Sequence, residues 1–335
     1  MSRSPVLEYS ASSSPLRWLR VSRQQIPILA TAIVWLSLYT IASVRYDNFF
    51  SWDVFRGFFS ENASLGIVAI GMTFVILSGG IDLSVGAVVG LTGILVGVLV
   101  TRGLHPLLAM AVALAAGSLL GAAQGAISVL FALPPFLVTL AGLFLARGLA
   151  LVISQESIGI DHAFYNALSD FSFEYFPIPA IVLLATLLTG MYLAHFTRFG
   201  RAVYAIGGNE QSAVLMGLPV NRTKVLIYTL SGFCSALAGI VSTVRMQSGD
   251  ATRGGGLELD AIAAVVIGGT LLSGGVGYLF GTLIGVLIYA IIQAAINFEG
   301  TLSSWYTKIA IGALLLAFIL LQKLVQSRAS RTASH

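Results

Sequence analysis

Charge is what this sequence has least of. Asp, Glu, Lys and Arg make up 10% of its 335 residues while 57% are hydrophobic, and a soluble domain carries roughly 25% charged residues. That shortage excludes a water-soluble globule and leaves a polytopic, all-α membrane protein. Lysine is nearly missing: Lys224, Lys308 and Lys323 are the full set, and none follows a glycine. A Walker A loop needs Gly-Lys to hold phosphate, so ATP hydrolysis by that route must belong to a different chain. The lone cysteine, Cys234, excludes an intrachain disulfide and reads as packing. His105, His162, His195 and His335 are too scattered for a zinc spacing, and no serine stands in a nucleophile elbow. Neither a metal, a cofactor nor a catalytic residue is expected. The net charge of +4 reflects topology and gives no reason to expect nucleic-acid binding.

Long apolar runs fill the remainder, at 26–44, 65–77, 85–100, 107–130, 136–153, 178–194, 225–244, 259–272, 277–296 and 305–321. They predict about ten spans, with the two that lead into Ser-Gly-Gly short enough to be half-helices or re-entrant. Arg3, Arg17, Arg20 and Arg23 precede the first run, Arg198, Arg201, Arg222 and Lys224 share one loop, and Lys323, Arg328 and Arg331 follow the last. The opposite loops hold only Arg45, Arg56, Arg102, Arg245 and Arg253, and the insert 154–176 has Glu156, Asp161, Asp170 and Glu174 without a basic residue. The positive-inside rule then puts both termini in the cytoplasm, as tails 1–25 and 323–335 around a membrane domain 26–322.

The stretch Leu77-Ser78-Gly79-Gly80-Ile81-Asp82-Leu83-Ser84-Val85-Gly86 interrupts the hydrocarbon pattern. Backbone that leaves the helix at membrane depth survives only inside protein or beside a wet cavity, so the stretch reads as a broken helix on a solute path. Its glycines break the helix, and Asp82 or Ser84 can accept from the free N–H groups of the next one. Asp82 is a helix cap, a path-lining group, or both. Ser78-Gly79-Gly80 with Gly86 and Gly90 recurs as Ser273-Gly274-Gly275 with Gly281 and Gly285, and paired broken helices point to a transport site between two halves. The candidate path residues are therefore Ser78, Gly79, Gly80, Asp82, Ser84, Gly268, Gly269, Thr270 and Ser273.

Other features read as scaffold. Gly117, Gly121 and Gly125 form a small-residue ladder for close helix packing, and Pro134-Pro135 forces a turn. Arg147 can snorkel, pair with a carboxylate or bind backbone carbonyls. Residues 45–61 read as an aromatic loop at headgroup level, Glu258 and Asp260 as helix caps or groups at the path entrance, and Lys308 as a snorkelling side chain. In the basic loop 195–224, Asn209 is an expected N-cap for a short helix through Leu215, with Gly217 its stop. Such a helix docks on a partner or lies on lipid headgroups. Two functions fit: an ion- or proton-coupled transporter, or a pore subunit driven by a partner. With Asp82 and Arg147 the only central ionisable candidates, the partner-driven subunit is favoured.

The segment Gly71-Met72-Thr73-Phe74-Val75-Ile76-Leu77 running into Ser78–Gly86 resembles the hallmark of permease subunits of bacterial sugar ABC importers, the ribose, xylose and arabinose permease family. So do Thr139-Leu140-Ala141-Gly142 with Arg147-Gly148-Leu149, Gly207-Gly208-Asn209, and Glu258-Leu259-Asp260-Ala261-Ile262-Ala263-Ala264-Val265-Val266-Ile267-Gly268-Gly269-Thr270. Ser154-Gln155-Glu156-Ser157 and Gly300-Thr301-Leu302-Ser303-Ser304-Trp305-Tyr306-Thr307-Lys308 are similar to one branch, the permeases of galactofuranose importers, where two unlike permeases pair. The resemblance implies an inner-membrane location, a periplasmic sugar-binding protein, a second permease and a cytoplasmic ATP-binding cassette ATPase as partners. It also implies that Gly207, Gly208, Asn209, Ala213, Met216 and Gly217 form the ATPase-coupling helix.

Overall fold

A computed structural model describes residues 26–173, 176–303 and 305–333. The tail 1–25 with its four arginines, Glu174, and the last two residues of the tail 323–335 lie outside the described residues. Helices come in the order α1 (Ile26–Arg45), α2 (Trp52–Glu61), α3 (Ala63–Leu77), α4 (Val85–Thr101), α5 (Pro106–Leu130) and α6 (Pro135–Ile153). The insert holds strand β1 (Ile158–Gly159), helix α7 (Ala163–Asp170) and strands β2 (Ser172–Phe173) and β3 (Phe176–Pro177). Then follow α8 (Ile178–Phe196), α9 (Arg198–Gly208), α10 (Glu210–Leu215), α11 (Val220–Met246), β4 (Ser248–Gly249), α12 (Leu257–Ile267), α13 (Leu279–Glu299) and α14 (Trp305–Ala333).

Every one of the ten apolar runs forms a helix, but not every helix is a full span. Among the described residues seven helices are long and apolar enough to cross a membrane, or eight if α2 and α3, bent by 53°, count as one. The short ones are α4, whose 17 residues reach about 25 Å against a hydrocarbon core of about 30 Å, and the 11-residue half-helix α12. The expected aromatic loop 45–61 is largely helix: α2 starts where the Ser51 hydroxyl accepts from Val54 N–H at 3.3 Å.

α3 sits at the centre, apolar on all sides and buried at every residue but Ser64, as a helix surrounded by protein must be. α11 crosses it and also packs on α4 and α5. Contact between α5 and α11 runs through the glycine ladder. A methyl group at Gly117 would lie 2.6 Å from the Ala236 Cβ, and one at Gly125 would lie 2.9 Å from the Val225 Cα, so the two backbones nearly touch. Around this core α1, α5, α6, α8 and α14 turn large apolar side chains outward, among them Leu36, Leu119, Phe144, Leu188 and Leu316.

At the end of the bundle that carries the insert, β1 pairs antiparallel with β4, Ile158 opposite Gly249. Of the three roles open to Arg147, the structure selects one: its guanidinium donates to the carbonyls of Ala251 and of Arg253, the latter at 3.2 Å. It thereby fixes the loop between β4 and α12. Burial alone would raise the Asp250 carboxyl in that loop, yet the Thr252 hydroxyl and N–H, with Arg253 and Arg147, hold it below the usual carboxylate range.

Two expectations fail here. Asp260 does not cap α12, which begins at Gly256 without a side-chain cap. Lys308 does not snorkel: its ammonium donates to both Asp260 oxygens at 2.6 and 2.5 Å, and the Tyr289 hydroxyl adds a third bond at 3.2 Å. The Asp260 side chain is 12% exposed and that of Lys308 45%, so the ammonium meets the carboxylate at the edge of the bundle, where removing either partner would leave the other charge without its counter-ion. Glu258 faces α4 instead, close to where a Gly86 side chain would stand, a place where a carboxylate complements the helix N-terminus.

Candidate functional site

The first broken helix ends as its sequence requires. Gly79 takes φ +81°, a left-handed conformation that glycine adopts without strain. The Gly79 and Gly80 N–H groups bond back to Ile76 and Val75 carbonyls at 2.9 and 3.0 Å, and the Ser78 hydroxyl donates to Val75 at 2.7 Å. Chain between this corner and α4 is non-helical, and three neighbouring helices hold it. Thr139 of α6 accepts from Leu83 N–H at 3.2 Å and lies 3.3 Å from the Ile81 carbonyl.

Asp82 is 1% exposed. One oxygen accepts the Ser84 N–H at 2.9 Å and the Ser84 hydroxyl at 2.7 Å; the other accepts the Ser231 hydroxyl of α11 at 2.7 Å. The carboxylate thus caps the entrance to α4 through the Ser84 N–H. Ser84, the other proposed capper, has no side-chain cap bond; its hydroxyl is turned to Asp82, to which it donates. Its oxygen also lies 3.1 Å from the Gln124 amide of α5. A hydroxyl already donating to a carboxylate can only accept from Gln124, so the amide N–H₂ is the group that faces it.

The second corner uses the same devices with less polarity. α12 stops at Ile267, Gly269 takes φ +93°, and Gly274 and Gly275 take +83° and +76°. A half-helix leaves its last carbonyls unpaired, and in lipid they need partners from the protein. Thr31 of α1 donates to the Ile267 carbonyl at 2.6 Å, and Gln322 of α14 to Val266 at 3.3 Å and Thr270 at 3.4 Å. Gly268, Gly269 and Thr270 are buried, with Gly268 packed so closely on Gly281 of α13 that neither admits a side chain.

The two Ser-Gly-Gly corners meet. Gly275 N–H donates to the Leu77 carbonyl at 2.8 Å, and a methyl at Gly79 would lie 3.7 Å from the Ser273 carbonyl. Gly79, Ile81, Leu272 and Ser273 form the exposed edge of this junction, while Ser78 and Gly80 are half-buried. Of the candidate path residues, then, Asp82 and Ser84 belong to a buried polar cluster, Gly268, Gly269 and Thr270 to a packed helix end, and Gly79 and Ser273 to an open seam.

Against that junction lies α9. The Thr197 hydroxyl caps it by accepting from Gly200 N–H at 3.2 Å, and Asn209 both ends α9 and starts α10, accepting from Ser212 N–H at 2.8 Å. Ala213 is fully buried beside Ile206 and Val220, and Lys224 pairs with Glu210 at 2.6 Å. Gly217, with φ +76°, ends the turn. Beside the exposed polar residues Glu210, Gln211 and Ser212, the end of α10 exposes three apolar side chains in a row: Val214, Leu215 at 88% and Met216 at 67%. Gly208 is open to solvent, and Gly207 is pressed onto the junction.

Four members of the buried cluster escaped the sequence reading as site residues: Gln124, Thr139, Ser231 and the buried Tyr228, whose hydroxyl stands where a Gly80 side chain would. Gln124 gave a signal, as an amide beside Gly125 in an apolar run; Tyr228 and Ser231 lie in a helix where such residues are unremarkable without their partners.

Residues 57–319 match the family described as "Branched-chain amino acid transport system / permease component". The inner membrane ABC transporter permease protein YjfF of Escherichia coli K12 is 48% identical over 310 residues, covering 90% of this chain and 93% of its own. The fructose import permease protein FruG of Bifidobacterium longum is 37% identical, covering 94% and 95%. The ribose import permease protein RbsC of Bacillus subtilis is 43% identical, covering 77% and 81%. No solved structure matches.

Proposed function

The chain belongs to this family of permease components, and from that premise we propose that it is the membrane permease of a bacterial ABC importer for a neutral monosaccharide. In this reading it spans the inner membrane with both termini in the cytoplasm, pairs with a second permease, receives sugar from a periplasmic binding protein, and is driven by a separate ATPase. The observation that carries the reading is the α9–α10 unit: a capped, ion-paired pair of helices that presents Val214, Leu215 and Met216 to solvent, in a chain that lacks Gly-Lys. Clustered exposed apolar residues on a polar loop mark a protein contact.

A sugar suits the interior better than an amino acid. A zwitterion asks for a cationic and an anionic partner, whereas Asp82 is occupied by serine hydroxyls and a backbone N–H and Arg147 is tied through Nη1 to two backbone carbonyls. Hydroxyls and amides remain, and these match sugar hydroxyls. The relatives named for ribose and fructose point the same way. Within that class galactofuranose is the solute we propose, on the segments 154–157 and 300–308. With Asp82 held by three hydrogen bonds and Arg147 tied to loop carbonyls, neither of these two groups is placed as a mobile ion or proton carrier.

Two tests bear on this. Affinity-tagged chain should bring down an ATP-hydrolysing partner from its native membrane, and should hydrolyse no ATP when purified alone; purification without any ATPase would contradict the reading. For orientation, single cysteines replace the exposed Ala167 or Asn221 in a Cys234→Ala background. A membrane-impermeant thiol reagent should label position 167 in intact cells and position 221 only after permeabilisation. The reverse pattern would invert the topology.

A further inference from the structure

We infer that Gly207 is the positioning residue through which the α9–α10 unit moves both broken helices at once. This rests on the reading of α9–α10 as the ATPase contact. A side chain at Gly207 would overlap the Leu77 carbonyl and come within 2.5 Å of Gly275 N. Those two atoms are the acceptor and donor of the hydrogen bond that joins the corners. The backbone of α9 therefore rests on that bond itself, with no side chain between to cushion it.

Two struts fix α9 to either side of the junction. The Tyr204 hydroxyl donates to the Gly277 carbonyl at 2.8 Å, on the second corner. The Phe199 ring lies 5.8 Å from that of Phe74, on α3 ahead of the first corner. His195 extends the contact, its ring 6.3 Å from both Tyr204 and Tyr278. Outward from Gly207 the linkage is equally short. Asn209 is shared by α9 and α10, Ala213 is locked beside Ile206, and Lys224 ties Glu210 to α11.

Close-packed protein is barely compressible, so a displacement applied to α10 is passed on instead of being absorbed. At Gly207 it reaches Leu77 and Gly275 together. The exposed seam at Gly79 and Ser273 is then the part free to open or close, and both corners move as one gate.

The test uses the importer reconstituted in proteoliposomes with its ATPase, second permease and binding protein, and reads sugar transported per ATP hydrolysed. Gly312→Ala is the control, since a methyl there meets nothing within 4 Å and favours helix. It should match wild type. Gly207→Ala should keep the ATPase bound and hydrolysing while sugar per ATP falls tenfold or more and stimulation by the binding protein is lost. Should Gly207→Ala fail to assemble, Tyr204→Phe decides: it removes one hydroxyl bond without adding volume, and should lower sugar per ATP at least threefold with assembly unchanged. Wild-type coupling in an assembled Gly207→Ala complex, or in Tyr204→Phe where that complex does not form, would overturn the inference. Failure of the wild-type chain to couple to any ATPase would instead sink the underlying functional reading.

Discussion

Replacing Asp82 with leucine should remove the folded permease from the membrane, whereas Asp82→Asn should leave it assembled and importing within about threefold of wild type. The leucine variant strands two buried donors, the Ser84 N–H and the Ser231 hydroxyl, both now satisfied by the carboxylate. A buried polar group left unpaired costs about 1–3 kcal/mol, so the pair costs roughly 2–6 kcal/mol by the same measure, a large part of a typical stability of about 5–15 kcal/mol. The Ser84 hydroxyl escapes because the Gln124 amide can rotate to present its oxygen as the acceptor. Asparagine keeps an oxygen for the Ser84 N–H and offers an N–H₂ to Ser231, so the corner closes as before. Yield after detergent extraction, thermal midpoint and uptake distinguish the outcomes. An Asp82→Asn permease that assembles normally and imports nothing would mean that the charge acts in transport, against the structural role argued here.

Leu215→Glu with Met216→Glu should abolish ATPase recruitment. Both side chains are exposed in the isolated chain, so the double change should alter its own stability by no more than about 1 kcal/mol. Buried in an interface, an apolar anchor is worth about 2–4 kcal/mol, which at 1.4 kcal/mol per decade weakens binding by roughly 30- to 1,000-fold for each position lost. Co-purification should lose the ATPase, and uptake should stop while the permease remains in the membrane. Undiminished recruitment would place the docking surface elsewhere.

Periodicity and glycine chemistry make the helices and corners legible in the sequence. Each apolar run became a helix, Gly79, Gly217 and Gly274 took the left-handed turns their positions suggest, and Asn209 capped α10. Partners across the fold were not legible, because nothing local distinguishes them. Asp260 looked like a cap until Lys308, 48 residues away, arrived beside it; Asp82 required Ser231, 149 residues on. The matched Ser-Gly-Gly offsets suggested two related corners, but only the folded chain shows that they bond to each other and that Gly207 rests on the bond.

The most direct measurement is radiolabelled galactofuranose uptake into proteoliposomes holding this chain with its ATPase, second permease and binding protein, with ribose and fructose as competitors. The account predicts uptake that requires ATP and all four components, persists when ionophores collapse the proton and sodium gradients, and disappears when the ATPase is omitted. Uptake by the permease alone under an imposed ion gradient, with no ATP present, would contradict it.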